Sequence, residues 1–249
     1  MAARGRPTPQ PQASGEHPRF RDRTEVYPRQ DVNPFIHDHR LHEPILLPAE
    51  KAWPFRGRWA EAFGGRAAPL HVEIGSGNGF FLAEFARRHP ELNVLGIELR
   101  YKRTVLCARK IKAAGVDENA RIIRYHAAYL DDLFLPGSLA AIHVHHPDPW
   151  PKDRHEKNRL ISRWFLEDVV TFLKPGGELR LKSDFKPNVD RVEELLSDAD
   201  LPRLPLTVLG RSEDITTTPA PWPDDIETNY QSKFRKRGLP VYAIALRRE

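Results

Sequence analysis

The chain contains one cysteine and one methionine in 249 residues. With Cys107 alone, no intrachain disulfide can form. That excludes the small scaffolds held together by cystine frameworks and points to a reducing, cytoplasmic setting. Flanked by Val105, Leu106 and Ala108, Cys107 reads as a core residue. No apolar run reaches the ~20 residues a membrane-spanning helix requires, and the N-terminus lacks the apolar core of a signal peptide. No internal repeat is present, which argues against a solenoid. An acidic excess is also lacking: the formal charge is +5, a modest basic surplus compatible with a polyanionic partner.

What remains is enough for one α/β domain with a substantial core and an extra segment, since 40% of the residues are hydrophobic. Residues 1–19, with Pro7, Pro9, Pro11 and Pro18 among Ser, Gly, Gln and Arg, suggest a mobile tail. Residues 20–66 are expected to form an N-terminal extension packed on the domain. Within it, the extended, proline-punctuated segment Phe20 to Pro48, which holds Ile45-Leu46-Leu47, is expected to lie across the domain surface, and Trp53 to Phe63 to form a short helix ended by Gly64-Gly65. Residues 67–249 form the main domain.

That domain is organised around His71-Val72-Glu73-Ile74-Gly75-Ser76-Gly77-Asn78-Gly79. Leu70, Val72 and Ile74 supply a buried strand. Gly75, Gly77 and Gly79 allow a tight turn and the close approach of a ligand to the backbone. Phe80 to Arg88 follows as a helix, and Asn93 to Ile97 as a second strand ending on Glu98. Strand, glycine turn, helix, strand and acid describe a nucleotide or nucleoside site at the edge of a parallel sheet. The spacing is G-x-G-x-G with an acid two residues upstream, not the dinucleotide pattern G-x-G-x-x-G. Glu73 would repel a pyrophosphate and suits a cationic or zwitterionic ligand. The stretch resembles the first motif of the Rossmann-like S-adenosylmethionine (SAM) methyltransferases. An NAD site and a purely structural turn remain open at this point.

Further along, Tyr101 to Ala114 has helical spacing of Val105, Leu106, Ala108 and Ile111, and stops at Gly115. Strands are expected over Ala120–Tyr125, Leu139–His145 and Glu178–Ser183, with helices from about Arg159 to Leu173 and from Asn188 to Leu196. Pro202–Leu209 and Val241–Leu246 read as a last, antiparallel pair. The alternation predicts an α/β sandwich of Rossmann-like type, with a mostly parallel central sheet and an antiparallel C-terminal hairpin.

After the fourth strand comes His146-Pro147-Asp148-Pro149-Trp150-Pro151-Lys152-Asp153-Arg154-His155. Three prolines stiffen a loop that presents a carboxylate, a flat aromatic and a basic cluster. In an open sheet this loop borders the ligand site. It looks like the signature of the tRNA (guanine-N7)-methyltransferases, which modify a guanine in the variable loop of tRNA. The similarity continues through Gly96-Ile97-Glu98, Lys182-Ser183-Asp184, Thr228-Asn229-Tyr230-Gln231, Lys233-Phe234 and Gly238. The resemblance implies a SAM-dependent enzyme with tRNA as partner. It assigns Glu73, Gly75, Gly77, Gly79, Glu98 and the backbone at Ala127 to the cofactor. Asp148 falls where cofactor and guanine meet and is the candidate catalytic carboxylate. Lys152, Asp184, Thr228, Asn229, Tyr230 and Gln231 fall at positions assigned to the RNA.

Three departures from the family pattern stand out. His126-Ala127-Ala128 replaces an acid or amide near the adenine, Gln231 replaces an acid, and Glu156 and Asn158 dilute the basic run. A methyltransferase fold that holds RNA without catalysis is the alternative these departures suggest. His143-x-His145-His146-x-Asp148 also suggests a metallohydrolase. Against that, His143 and His145 should share one sheet face while His146 faces the other way, and no metal is expected. Neither a membrane partner nor a larger assembly than a homodimer is expected.

Overall fold

The computed structural model describes residues 33–151 and 159–249. The expected N-terminal tail lies outside these residues, as do the start of the extension and the stretch from Lys152 to Asn158.

Among the described residues the strands form one sheet: β1 (Leu46–Leu47), β2 (Leu70–Ile74), β3 (Asn93–Glu98), β4 (Ala120–Arg124), β5 (Leu139–His145), β6 (Leu173–Ser183), β7 (Leu206–Ser212) and β8 (Tyr242–Arg248). Their spatial order is β1-β4-β3-β2-β5-β6-β8-β7. Neighbours from β1 through β6 run parallel, whereas β8 is antiparallel to β6 and β7 antiparallel to β8. The helices are α1 (Pro34–Asp38), α2 (Ala49–Ala52), α3 (Trp59–Ala62), α4 (Phe80–Arg88), α5 (Tyr101–Ala113), α6 (Arg163–Phe172), α7 (Lys186–Ser197) and α8 (Asn229–Lys236). This is the expected mostly parallel α/β sandwich with an antiparallel C-terminal pair. No helix among the described residues is long and apolar enough to cross a membrane.

The strand sequences explain the layering. Every residue of β3 is buried, as a central parallel strand covered on both faces requires. Alternate β3 and β4 side chains enter different cores. Leu95, Ile97 and Ile123 join the larger core with α3, α6 and α7, while Val94, Ala120 and Ile122 join the smaller one under α4 and α5. Cys107 is fully buried in the smaller core, as its neighbours suggested. A third cluster, Ile215, Trp222, Val241, Ala243 and Ala245, packs the C-terminal segment against β8.

The structure corrects several local expectations. Ile45, Leu46 and Leu47 are buried, and Leu46 and Leu47 pair in parallel with Ile122 and Ile123. The triplet is therefore an edge strand and not a surface strap. Pro44 and Pro48 bound it, which suits an edge position, and burying each leucine stabilises by roughly 1.5–3 kcal/mol. Trp53 to Phe63 is not one helix. Pro54 and Gly57 divide it into a turn of 3₁₀ helix over Trp53–Phe55 and the single turn of α3. The helix expected from Arg159 begins at Arg163, because Ser162 caps it by accepting from the Phe165 amide at 3.4 Å. The strand expected over Pro202–Leu209 lies later, at Leu206–Ser212.

Gly96 marks the closest approach between layers. A Cβ there would lie 2.4 Å from Leu82 Cδ1, 2.6 Å from Ser76 Oγ and 2.7 Å from Ile122 Cδ1. Gly96→Ala is expected to destabilise the protein by about 1–3 kcal/mol through overpacking, read as a lower urea midpoint with an unchanged slope.

Candidate active site

The chain runs outward from β2 through β3 to β4, then returns to the other flank of β2 as β5. The carboxyl ends of β2 and β5 thus border the crevice where such sheets bind ligands. The glycine turn follows β2, the Asp148 loop follows β5, and Asp184 follows β6, the next strand over.

Gly75, Gly77 and Gly79 adopt φ of 76°, 55° and 76°, the left-handed region that favours glycine. Their tasks differ. A Cβ at Gly75 would meet nothing within 4 Å, and one at Gly77 only the Gly75 carbonyl at 4.0 Å, so both face open space. A Cβ at Gly79 would lie 2.5 Å from Cys107 Sγ, so Gly79 serves the contact between α4 and α5. The Gly75 amide donates to the Ile97 carbonyl at 2.8 Å, tying the turn to β3. Glu98 completes the tie. Its Oε2 accepts from the Gly77 amide at 3.0 Å, and its Oε1 from the amides of Leu99 and Arg100 at 2.9 Å each. A carboxylate offers about four lone-pair sites, so capacity remains for a ligand hydroxyl.

Glu73 lies on the opposite face of β2 from Val72 and Ile74, beneath α4. It is 3% exposed, and its Oε1 is 3.0 Å from Nδ1 of His145 on β5. Phe81 covers His145 edge-on at 4.1 Å. Burial raises the Glu73 carboxyl to about 8 and holds the His145 imidazole well below its ordinary value. The contact is therefore a hydrogen bond between neutral groups, not an ion pair. Glu73 Oε2 is buried with no hydrogen-bond partner among the described residues. Deeper on the same face, His71 Nδ1 lies 3.1 Å from His143 Nε2, and burial brings His71 down to about 4.

The Asp148 loop is held at three points. The His146 amide donates to the Lys182 carbonyl at 2.8 Å, the Pro147 carbonyl accepts from Asn188 Nδ2 at 3.2 Å, and the Trp150 carbonyl accepts from Arg159 Nε at 3.0 Å. His146 and Trp150 have φ of 50° and 37°, an uncommon conformation for side-chain-bearing residues. Asp148 sits between these anchors, exposed, with no hydrogen bond or ion pair among the described residues. Lys152 lies outside the described residues.

Asp184 and the Thr228–Gln231 stretch meet at His146. Its Nδ1 is 3.1 Å from Asp184 Oδ1, its Nε2 is 3.0 Å from Thr228 Oγ1, and its ring stacks on Tyr230 with centroids 5.4 Å apart. Thr228 caps α8, its Oγ1 accepting from the Gln231 amide at 3.1 Å. Asn229 and Tyr230 are exposed, whereas Gln231 turns inward. Gln231 Oε1 accepts from Lys182 Nζ at 3.0 Å, and the same ammonium donates to Asp225 Oδ1 at 2.8 Å and the Ile226 carbonyl at 2.7 Å. The three donors of a fully buried lysine are thus all satisfied. Gln231, which the resemblance assigns to the RNA, has its side-chain oxygen engaged by Lys182 inside the protein. Lys182 and Asp225 had no site role in the sequence reading, and His146 had one only in the metal alternative. Thr-x-x-Gln is itself a helix-start signal and would have located α8.

At the end of β4, His126 Nδ1 accepts from the Ala128 amide at 3.0 Å, and Ala127 begins a 3₁₀ turn packed on the larger core. The histidine cluster that suggested a metallohydrolase is split between partners. His143 pairs with His71, His145 with Glu73, and His146 with Asp184 and Thr228. No group of three or more metal-ligating side chains is gathered among the described residues.

A family model described as "Putative methyltransferase" matches residues 67–244. A tRNA (guanine-N(7)-)-methyltransferase of Listeria monocytogenes is 36% identical over 206 residues, spanning 82% of this chain and 92% of its own. One of Bacillus velezensis is 34% identical over 214 residues, spanning 86% and 94%. The chain belongs to this methyltransferase family. Among solved structures, the 16S rRNA methyltransferase KamB shares the fold with a TM-score of 0.53 at 14% identity, covering 76% of this chain and 92% of that one. TrmN from Thermus thermophilus does so with a TM-score of 0.52 at 17% identity, covering 76% of this chain and 47% of that one.

For this methyltransferase the buried Glu73 has a consequence for stability. Its carboxyl is shifted from 4.5 to about 8 in the fold, so between those values the folded protein holds a proton that the unfolded chain has lost. Stability contributed by this group is full below the lower value and is lost as pH rises toward the upper one. Urea midpoints are expected to fall from pH 7 to 8.5 in the wild type, a window above the one in which the buried histidines take up protons on unfolding, and Glu73→Gln is expected to flatten that slope.

Proposed function

We propose that the protein transfers the methyl group of SAM to N7 of a guanine in tRNA, forming 7-methylguanosine. The observation that carries this reading is the placement of three features on adjacent strand ends. These are an open glycine cradle beside a buried glutamic acid with one unpartnered oxygen, an exposed aspartate on a braced loop, and an aspartate–histidine–threonine cluster. Membership of the family supports it.

The residues present fit SAM. Gly75 and Gly77 leave room for the methionine part to lie against the backbone, and Glu73 Oε2 offers an unspent acceptor to its ammonium. Glu98 has spare lone pairs for ribose hydroxyls. In this reading the adenine contact near Ala127 is left to backbone groups, and Gly79 supports the turn from behind. SAM, when bound, supplies an electrophilic methyl on a sulfonium.

Little proton chemistry is required of the chain. Guanine N7 carries an in-plane lone pair and needs no deprotonation, so the main contribution is alignment of nucleophile and electrophile. The base gains positive charge as N7 is alkylated. Asp148, anchored on both sides and without an internal partner, stabilises that charge more in the transition state than in the ground state. Lys152 and the run Lys233, Arg235, Lys236 and Arg237 at the end of α8 are assigned to tRNA phosphates, with Arg235 also paired to Glu227 at 3.1 Å. Asn229 and Tyr230 present exposed side chains to the RNA. A cytoplasmic location follows from a tRNA substrate. The reading makes the protein a catalyst and not only an RNA-binding relative of one.

The direct test is incubation with unmodified tRNA and labelled SAM, followed by nucleoside analysis. Label in 7-methylguanosine is expected, and label elsewhere or nowhere overturns the reading. Asp148→Asn is expected to retain SAM binding by calorimetry while losing turnover by about 100-fold or more, the scale of one lost electrostatic contact. Affinity for tRNA is expected to weaken as salt is added, in proportion to the phosphate contacts made.

A further inference from the structure

We propose that His146 is a positioning residue for base recognition, holding Asp184 and the start of α8 as one unit so that the second oxygen of Asp184 reads the donors of guanine. This rests on guanine being the substrate.

His146 has the burial that a positioning role needs. Its side chain is 5% exposed, while that of Asp184 is 31% exposed. A buried imidazole thus grips a carboxylate that still reaches solvent. The bonding pattern also places a proton on Nδ1. Thr228 Oγ1 already accepts from the Gln231 amide, so its hydroxyl hydrogen is available to His146 Nε2 at 3.0 Å. Asp184 Oδ1, 3.1 Å from Nδ1, is an acceptor and takes the ring N–H. With a proton on Nδ1 every group is satisfied: the Gln231 amide bonds Thr228 Oγ1, Thr228 Oγ1 bonds His146 Nε2, and His146 Nδ1–H bonds Asp184. Consistent with this, the hydrogen bond from His146 holds Asp184 below the usual carboxylate range. Tyr230 closes the unit by stacking on the imidazole at 5.4 Å and 28°, which fixes an exposed aromatic beside the carboxylate.

The chemistry of the base gives the unit its purpose. Guanine presents N1–H and N2–H₂ donors on its Watson–Crick edge, and adenine presents an acceptor at N1. With Oδ1 taken by His146, Oδ2 remains as an oriented acceptor that matches guanine and opposes adenine. A site built to bond a group discriminates strongly against the base that lacks it. His146 touches neither methyl nor N7 in this scheme and acts through Asp184 and Tyr230.

The test compares wild type, His146→Phe, Asp184→Asn and the double variant. Kinetics are measured on unmodified tRNA with saturating SAM, and cofactor affinity by calorimetry. His146→Phe keeps a ring to stack on Tyr230 but removes both hydrogen bonds. It is expected to lower kcat/KM for tRNA by about tenfold, with cofactor Kd changed by less than about twofold. Asp184→Asn should lose a similar factor, and the double variant little more than either single one, because both remove the same contact. Independent, multiplying losses overturn the proposal, as does a His146→Phe enzyme equal to wild type. If His146→Phe does not fold, nitrogen-15 spectra of the wild-type imidazole decide. A proton on Nδ1 supports the grip on Asp184 and a bare Nδ1 overturns it. A wild-type protein that makes no 7-methylguanosine overturns the proposal together with the reading beneath it, whereas an active wild type with an indifferent His146→Phe overturns the proposal alone.

Discussion

A lysine ammonium shut away from water holds the candidate site together. Lys182 on β6 is fully buried, and its three donors meet a carboxylate, a backbone carbonyl and a side-chain amide, all on the segment Asp225–Gln231. Burial lowers its pKa, while the Asp225 carboxylate works to keep it charged. A buried cation tolerates the loss of a partner poorly, so the segment cannot leave β6 without a large penalty. That clamp sets where Thr228 caps α8. Thr228 sets the contact with His146, and His146 sets Asp184 and Tyr230. The polar side of the crevice is thus suspended from one charge in the core.

The opposite side of the crevice rests on backbone geometry. Gly75 and Gly77 keep the surface beside β2 clear, while Gly79 and Gly96 let α4 sit close to α5 and to the sheet. Glu98 ties the Gly77 amide of the turn to the Leu99 and Arg100 amides after β3 and so fixes the turn's position before any ligand arrives. The buried Glu73–His145 pair beneath Phe81 extends a polar row that the His71–His143 pair begins on the same face, and it leaves one carboxyl oxygen unspent. An unsatisfied buried acceptor is costly, and this oxygen is the one assigned in the proposed function to the SAM ammonium. Preorganisation on both sides suits a transfer in which alignment, not proton movement, makes the main contribution.

Much of this was legible in the chain because it is local. The strand–turn–helix around Gly75, the acid at Glu98 and the proline-braced Asp148 each occupy a few consecutive residues, and their dihedral demands are written in residue type. The alternation of His143 and His145 with Ile142 and Val144 correctly put both histidines on one face of β5. Other features were hidden for definite reasons. Ile45-Leu46-Leu47 has no period to announce a strand, and only pairing with Ile122 and Ile123 makes it one. Trp53 to Phe63 carries helical apolar spacing, but Pro54 and Gly57 override it.

By itself the sequence determined the class of fold, the glycine turn with its flanking acids and the stiff aspartate loop, because short-range sterics and hydrophobic periodicity specify such features within a dozen residues. It could not determine which side chains face the ligand and which face the core. Gln231 and Tyr230 are neighbours, yet one fastens a buried lysine and the other stacks on an imidazole in the open crevice. His145 and His146 are also adjacent, yet one bonds Glu73 and the other Asp184. Only the tertiary structure settled those partners, because β2, β5, β6 and α8 are distant in sequence and meet solely through the order of the sheet and the burial of one charge.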